Sequence, residues 1–381
     1  MSHDLRNYLK HVVSHNASDL FLSVGAPATM KVDGVARLMS QTPLDEDQVS
    51  ELIYSVISET EKDTFHQTLE LNKALDVPDI GRFRINLYMQ RGYPALVARH
   101  IPSYIPSIEE LNLPLFLKNL VMENNGLVLI VGAAGTGKST TLASMVRHRN
   151  DNRSGHILCI EDPIEYIHQH NKSIVDQREV GLDTHSFGDA LRNAMREAPD
   201  VIVIGEIRDY ESLKNALSYA ETGHLCLSTL HANNANQALE RILSFFDESS
   251  QKQVLLDLSL HLKTIISQRL VMGKDDKRLP AVEIMMNTPF ITDLIHNNRI
   301  DEIREAMANN ETGCRTFDQS LLELYHGKMI SKEEALANAD SRTNVEVDIR
   351  LHGKPDGSSL DGVGLAYGEV ENQGNGLERF K

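Results

Sequence analysis

At 381 residues, with 41% hydrophobic and 24% charged side chains, the chain is long enough for two folded domains and has the profile of a soluble α/β protein. Its formal charge of −16 works against a broad phosphate-binding surface, because nucleic-acid affinity rests on Lys and Arg displacing counterions, so no nucleic-acid partner is expected. Cys159, Cys226 and Cys314 lie far apart with no CxxC pair, which supports neither a disulfide framework nor a zinc ribbon and fits a reducing cytoplasm.

The start of the chain, Met1-Ser2-His3-Asp4, carries neither a basic region nor an apolar stretch. No uninterrupted apolar run approaches the roughly 20 residues that span a bilayer, so any membrane association is expected to be peripheral. Leu20 to Val24 and Met30 to Val32 read as strands around the turn Gly25-Ala26-Pro27. A helix is expected from Asp45, where Leu44, Val49, Leu52, Ile53, Val56 and Ile57 recur at helical spacing. A second strand region runs from Gly81 through Arg99, which makes residues 1–100 a small α+β domain. The two prolines of Ile101-Pro102-Ser103-Tyr104-Ile105-Pro106 mark a linker over 101–110.

From 111 to 250, apolar strand cores at 127–131, 157–160, 201–204 and 225–230 alternate with amphipathic helices, the pattern of a mostly parallel sheet. Residues 251–339 read as a helical subdomain, with Val254, Leu255, Leu258, Leu262, Ile265 and Ile266 on one apolar face. The acidic, glycine-rich stretch 340–381 is expected to be disordered. Within it, the alternation Val345-Glu346-Val347-Asp348-Ile349-Arg350-Leu351 also fits a docking edge strand.

The strongest motif is Gly132-Ala133-Ala134-Gly135-Thr136-Gly137-Lys138-Ser139, placed between the apolar run 127–131 and the helix-like stretch Thr140 to Arg149. Its glycines let backbone N–H groups turn to a β-phosphate, and the helix behind offers its positive end. Lys138 reaches the β and γ oxygens, Ser139 can hold a Mg²⁺ ion, and Thr140 follows as a further nucleotide-binding position. By itself the loop implies only ATP or another phosphorylated nucleotide, since kinases, GTPases and motors share it.

In a parallel sheet, Gly205-Glu206 at the end of 201–204 would lie beside that loop, with Glu206 towards the metal. Glu161-Asp162-Pro163-Ile164-Glu165 follows the next strand, so Glu165 is assigned to water activation. The two glutamates are interchangeable on the sequence, and a plain acidic turn accounts for Glu161 equally well. His224 and His231 bracket the strand 225–230 as candidate γ-phosphate sensors, although an isolated strand-end histidine is more often structural. Arg82, Arg84, Arg91 and Arg99 cluster in the first domain as candidate arginine fingers, against the commonplace of surface arginines.

Together the phosphate loop, Ile160 to Glu165, Leu191 to Asp200, Gly205 to Asp209 and Thr222-Gly223-His224 through His231-Ala232 resemble the type II/IV secretion ATPase superfamily. Ala17-Ser18-Asp19-Leu20-Phe21-Leu22-Ser23 is similar to the opening of its twitching-motility retraction branch, the PilT/PilU group. Met195 to Pro199, Leu225 to Ala238 and Thr316 to Gln319 favour the PilU side.

The resemblance implies a PAS-like N-terminal domain, a RecA-like ATPase domain and a homo-hexamer binding ATP and Mg²⁺ between domains. It maps the catalytic glutamates onto Glu206 and Glu165, the histidine box onto His224 and His231, and the N-domain arginines onto Arg84, Arg91 and Arg99. It further implies a PilT-like partner ATPase and a PilC-like platform protein at the cytoplasmic face of the inner membrane. The retraction subgroup's C-terminal motif is altered here to Phe290 to His296, which favours dependence on a partner motor or a regulatory ring. Assembly ATPases of the superfamily typically carry a tetracysteine insertion that this chain lacks.

Overall fold

The computed structural model describes residues 4–32, 34–309 and 313–352. Alternating inward residues in the first hundred positions build helices α1 (Leu5–Ser14), α2 (Glu46–Tyr54) and α3 (Glu59–Thr68) and strands β1 (Asp19–Ser23), β2 (Thr29–Val32), β3 (Val35–Leu38), β4 (Glu70–Val77), β5 (Gly81–Gln90) and β6 (Tyr93–Ile101). The strands form one antiparallel sheet in the order β3-β2-β1-β6-β5-β4. Leu9, Val12, Leu20, Leu22, Ile53 and Phe83 are fully enclosed in its core. The helix expected from Asp45 starts there because the Asp45 carboxylate caps the backbone N–H of Gln48 and the Gln48 side chain returns the bond. Strand β4 was not foreseen, since its residues are mostly exposed or half-buried and give no apolar run.

The rest of the chain comprises α4 (Phe116–Leu120), β7 (Gly126–Val131), α5 (Lys138–Asn152), β8 (Gly155–Glu161), β9 (Ser173–Glu179), α6 (Phe187–Ala194), β10 (Val201–Ile204), α7 (Tyr210–Glu221), β11 (Leu225–Leu230), α8 (Ala235–Leu243), α9 (Glu248–His261), β12 (Leu262–Met272), β13 (Arg278–Met286), α10 (Pro289–His296), α11 (Ile303–Ala308), α12 (Phe317–His326), α13 (Lys332–Asn338) and α14 (Arg342–His352). Its sheet runs β13-β12-β7-β11-β10-β8-β9, parallel throughout except for β13 at one edge. Both faces are covered. Leu127, Leu129 and Val131 pack into the core that holds α7, α8 and α9, while Val128 and Ile130 pack with Leu117 of α4 and Met145 of α5. Burial on both faces is why these strands read as unbroken apolar runs.

Two expectations are corrected. The region 251–339 is not all helical: α9 ends at His261, and Leu262, Ile265 and Ile266 belong to β12, which pairs in parallel with β7 and antiparallel with β13. Their spacing continues the helical pattern, but pairing satisfies the backbone of β7 on the side that would otherwise be an open edge.

The stretch 345–351 is neither disordered nor a strand but lies in α14. Val345 and Ile349, four apart, are buried; Val347 and Leu351 are 47% and 74% exposed. Glu346 and Arg350 form an i,i+4 ion pair at 2.9 Å. The glycine-rich segment 353–381 and Met1 to His3 lie outside the described residues.

The helical reading of 342–352 makes a test two residues apart. Ile349→Ala is expected to lower unfolding free energy in urea by about 2–5 kcal/mol, whereas Val347→Ala should change it by no more than about 0.5 kcal/mol. Equal losses would place both side chains on one face, as in a strand.

Candidate nucleotide site

Strand β7 delivers the chain at Val131 into the loop from Gly132 to Gly137, and α5 leads away from it. Gly135 and Gly137 have φ of +78° and +87°, in the left-handed region that glycine enters without penalty. A Cβ at Gly132 would stand 2.4 Å from Thr136 Oγ1 and 2.7 Å from the Gln268 carbonyl oxygen, so only glycine fits there. Lys138, 8% exposed, donates from Nζ to the carbonyls of Gly132 and Ala133, both at 2.9 Å. Burial pushes its pKa down and the nearby Glu206 charge partly restores it. A desolvated ammonium held only by loop carbonyls, at the positive end of a helix, is a built receptor for an anion such as a nucleotide phosphate.

The opposite wall comes from the neighbouring strand ends. Between β10 and α7 the segment Gly205 to Arg208 is short because Asp209 already caps α7. The Thr229 hydroxyl donates to the Gly205 carbonyl at 2.7 Å, fixing β10 to β11. Glu206 therefore points back to the loop. Its Oε2 accepts from Arg208 Nε at 2.7 Å, and its Oε1 lies 3.2 Å from His231 Nε2. Arg208 also reaches Asp162 at 3.3 Å.

Past β8, the cis Asp162-Pro163 bond turns the chain, and Glu179 accepts from the buried Ile164 N–H at 3.2 Å, leaving Glu165 exposed on the rim. Gln177 of β9 donates to Glu161 Oε1 at 3.0 Å and to the Tyr166 carbonyl at 2.8 Å. Burial raises the Glu161 carboxyl to about 7. Lys138, Ser139, Glu165, Glu206 and His231 all line one cavity of 320 Å³. A larger cleft of 860 Å³, lined by Lys138, Ser139 and Glu165 as well, extends from the loop towards Asn112 and Lys277. Thr140 shares a 2.9 Å hydrogen bond with Tyr166.

His224 is not in this constellation. Parallel strands place both ends of β7 and β11 level, with Leu225 beside Gly126 and Leu230 beside Val131. His224 thus lies at the end remote from the loop, about 23 Å from His231 at about 3.3 Å per residue, where its carbonyl accepts from the Gly126 N–H.

The arginines also separate. Arg84 and Arg99 face each other across β5 and β6, whereas Arg91 occupies the hairpin turn with φ of +53°, about 20 Å along the ribbon. Arg82 lies 3.8 Å from Asp76. Arg99 donates from Nε to buried Asp19 at 2.9 Å. That bond first, and the charge of Glu165 to a smaller degree, raises its pKa. The sequence reading missed Tyr166, Gln177 and Gln268. Only Tyr166, beside Glu165, had a signal near it; the other two sit on β9 and β12, strands it did not resolve.

Among known proteins, a family model described as "Type II/IV secretion system protein" matches residues 2–347. The chain is 47% identical to the type IV pilus ATPase PilU of Pseudomonas aeruginosa, over 99% of this chain and 100% of that one. It is 39% identical to the type IV pilus retraction ATPase PilT of the same organism, over 88% of this chain and 98% of that one. A crystal structure of the pilus retraction motor PilT with bound ADP superposes with a TM-score of 0.83 at 40% identity, covering 90% of this chain and 98% of that one.

The raised Glu161 carboxyl makes stability depend on pH. A folded-state value above the ordinary 4.5 means a contribution fully present below about pH 4.5 and lost as pH rises through about 7. Glu161→Gln, which keeps an acceptor for Gln177, is expected to flatten the decline of melting temperature across that interval. An unchanged slope would show that Glu161 does not titrate there.

Proposed function

The chain belongs to the type II/IV secretion system protein family and is an ATPase of its PilT/PilU branch, and from that premise we propose that it works as a Mg²⁺-dependent, homo-hexameric ring motor in type IV pilus retraction. Convergence of Lys138, Ser139, Glu165, Glu206 and His231 on one cavity is the observation that carries this reading. Lys138 and the loop N–H groups bind the β- and γ-phosphates of ATP. Ser139 and Glu206 would hold Mg²⁺, which supplies positive charge against the phosphate oxygens. Glu165, exposed on the rim, accepts the proton of the attacking water. His231, in contact with Glu206, reports whether that carboxylate is engaged. Arg99, with Arg84 across the ribbon, offers positive charge from the N-terminal domain, for which we propose the PAS-like designation.

His224 lies at the strand end remote from the same protomer's loop, so the role proposed for it, and for Arg91 in its hairpin turn, is at a neighbouring subunit. Among the described residues no helix is long and apolar enough to cross a membrane, which is consistent with peripheral docking on a PilC-like platform protein at the cytoplasmic face of the inner membrane. The altered segment Phe290 to His296 forms α10, which buries Ile291, Leu294 and Ile295 and leaves Phe290 exposed. That departure favours a PilU-like accessory acting with a PilT-like motor, or a regulatory ring with little motor activity of its own.

Lys138→Ala and Glu206→Ala are expected to fold and to lose at least about 100-fold in ATPase rate, since each removes charge stabilisation of the transferring phosphoryl group. Wild-type turnover in either purified variant would sink the site assignment. For the accessory role, fibre retraction should require both this protein and a PilT-like partner. Full retraction force from this protein alone would identify an independent motor.

A further inference from the structure

Gln268 is the one residue of β12 that meets the phosphate loop at both of its ends. Strand β12 runs parallel with β7 up to the pair Ser267 and Val131, so Gln268 comes level with the point where the chain leaves the sheet. Its carbonyl oxygen lies 2.7 Å from where a Cβ of Gly132 would stand, and its side-chain Nε2 lies 3.0 Å from where a Cβ of Gly137 would stand. Its Oε1 accepts from Thr141 Oγ1, in the first turn of α5, at 2.8 Å. Gln268 and Thr141 are 3% and 1% exposed, so this bond forms out of water, where an unmade partner is costly.

From this hydrogen bond and the close approach to the space beside Gly132 and Gly137 we propose that Gln268, through Thr141, is a positioning residue that holds the phosphate loop in its anion-receiving shape before nucleotide arrives. The inference rests on the reading of this loop as the ATP site. Gly135 and Gly137 leave the loop free to adopt other backbone conformations, and any free energy spent on ordering it at the moment of binding is subtracted from affinity. A polar clamp from a strand already fixed on both sides removes that cost in advance. Gln268 shares a cleft with Lys138 and Glu165, but its side-chain hydrogen bond goes to Thr141 of α5 and, among the described residues, none goes to Glu165 or Glu206, so its effect is expected on nucleotide binding rather than on the chemical step.

The test uses the full chain with Gln268→Met and Thr141→Val, near-isosteric changes that each delete the bond, singly and together. ADP affinity is measured by calorimetry, steady-state ATPase gives KM and kcat, and thermal unfolding is followed without nucleotide. One buried hydrogen bond corresponds to a loss of about tenfold in affinity.

Each single variant is expected to weaken ADP binding and raise KM by about that factor, with kcat within about twofold. The double variant should be no worse than either single, because both break the same contact. Unchanged ADP affinity in the variants, an additive double variant, or a fall in kcat at constant KM would overturn the proposal. If Gln268→Met fails to fold, Thr141→Val decides alone. Failure of the wild-type chain to bind ADP at all would instead remove the nucleotide reading on which the inference stands.

Discussion

The polarity of six parallel strands is the constraint from which the site follows. Once β7, β11, β10 and β8 lie side by side in one direction, with β9 beyond, every chain segment leaving a strand does so at the same edge. The phosphate loop, His231, Glu206 and Glu165 need no long-range search to find each other. The same polarity removes His224 to the opposite edge, although only the six residues of β11 separate it from His231.

Charge is distributed across that edge in alternation. Lys138 is buried against loop carbonyls, Glu206 stands between Arg208 and His231, and Arg208 continues to Asp162. A carboxylate already shared by two potential cations is prepared to exchange partners when a metal or phosphate enters, and the buried lysine has the most to gain from an anion. Glu161 lines the same cavity, and its raised carboxyl serves the architecture of the acidic turn through Gln177.

In the N-terminal domain one strand pair holds Arg99. Asp19 on β1 and Arg99 on β6 are in direct register, and their ion pair at 2.9 Å ties the guanidinium to β1. On the other side β12 and β13 bind the ATPase core to the C-terminal helices. Gln268 meets the phosphate loop, while the next residue, Arg269, turns the other way, its guanidinium 3.8 Å over the Phe317 ring and bonded to Asp340. Successive residues of one strand thus touch the nucleotide loop and the C-terminal helices.

What the sequence alone determined were the features with local causes: the glycine loop between an apolar strand and a helix, the parallel strands buried on both faces, the capped helix at Asp45, and the carboxylates placed at strand ends. These are legible because side-chain periodicity and backbone freedom act within a few residues. The tertiary structure decided the rest. It turned Leu262, Ile265 and Ile266 from an apparent helix face into a strand, because β7 needed a partner. It coiled 342–352 into a helix, because Val345 and Ile349 had a surface to cover. It put Arg91 in the hairpin turn, away from the facing pair Arg84 and Arg99, and His224 at the strand end remote from the loop, since distance along a strand does not show in residue type. It also brought Gln268 to a loop more than a hundred positions earlier, a contact that exists only once the sheet has closed.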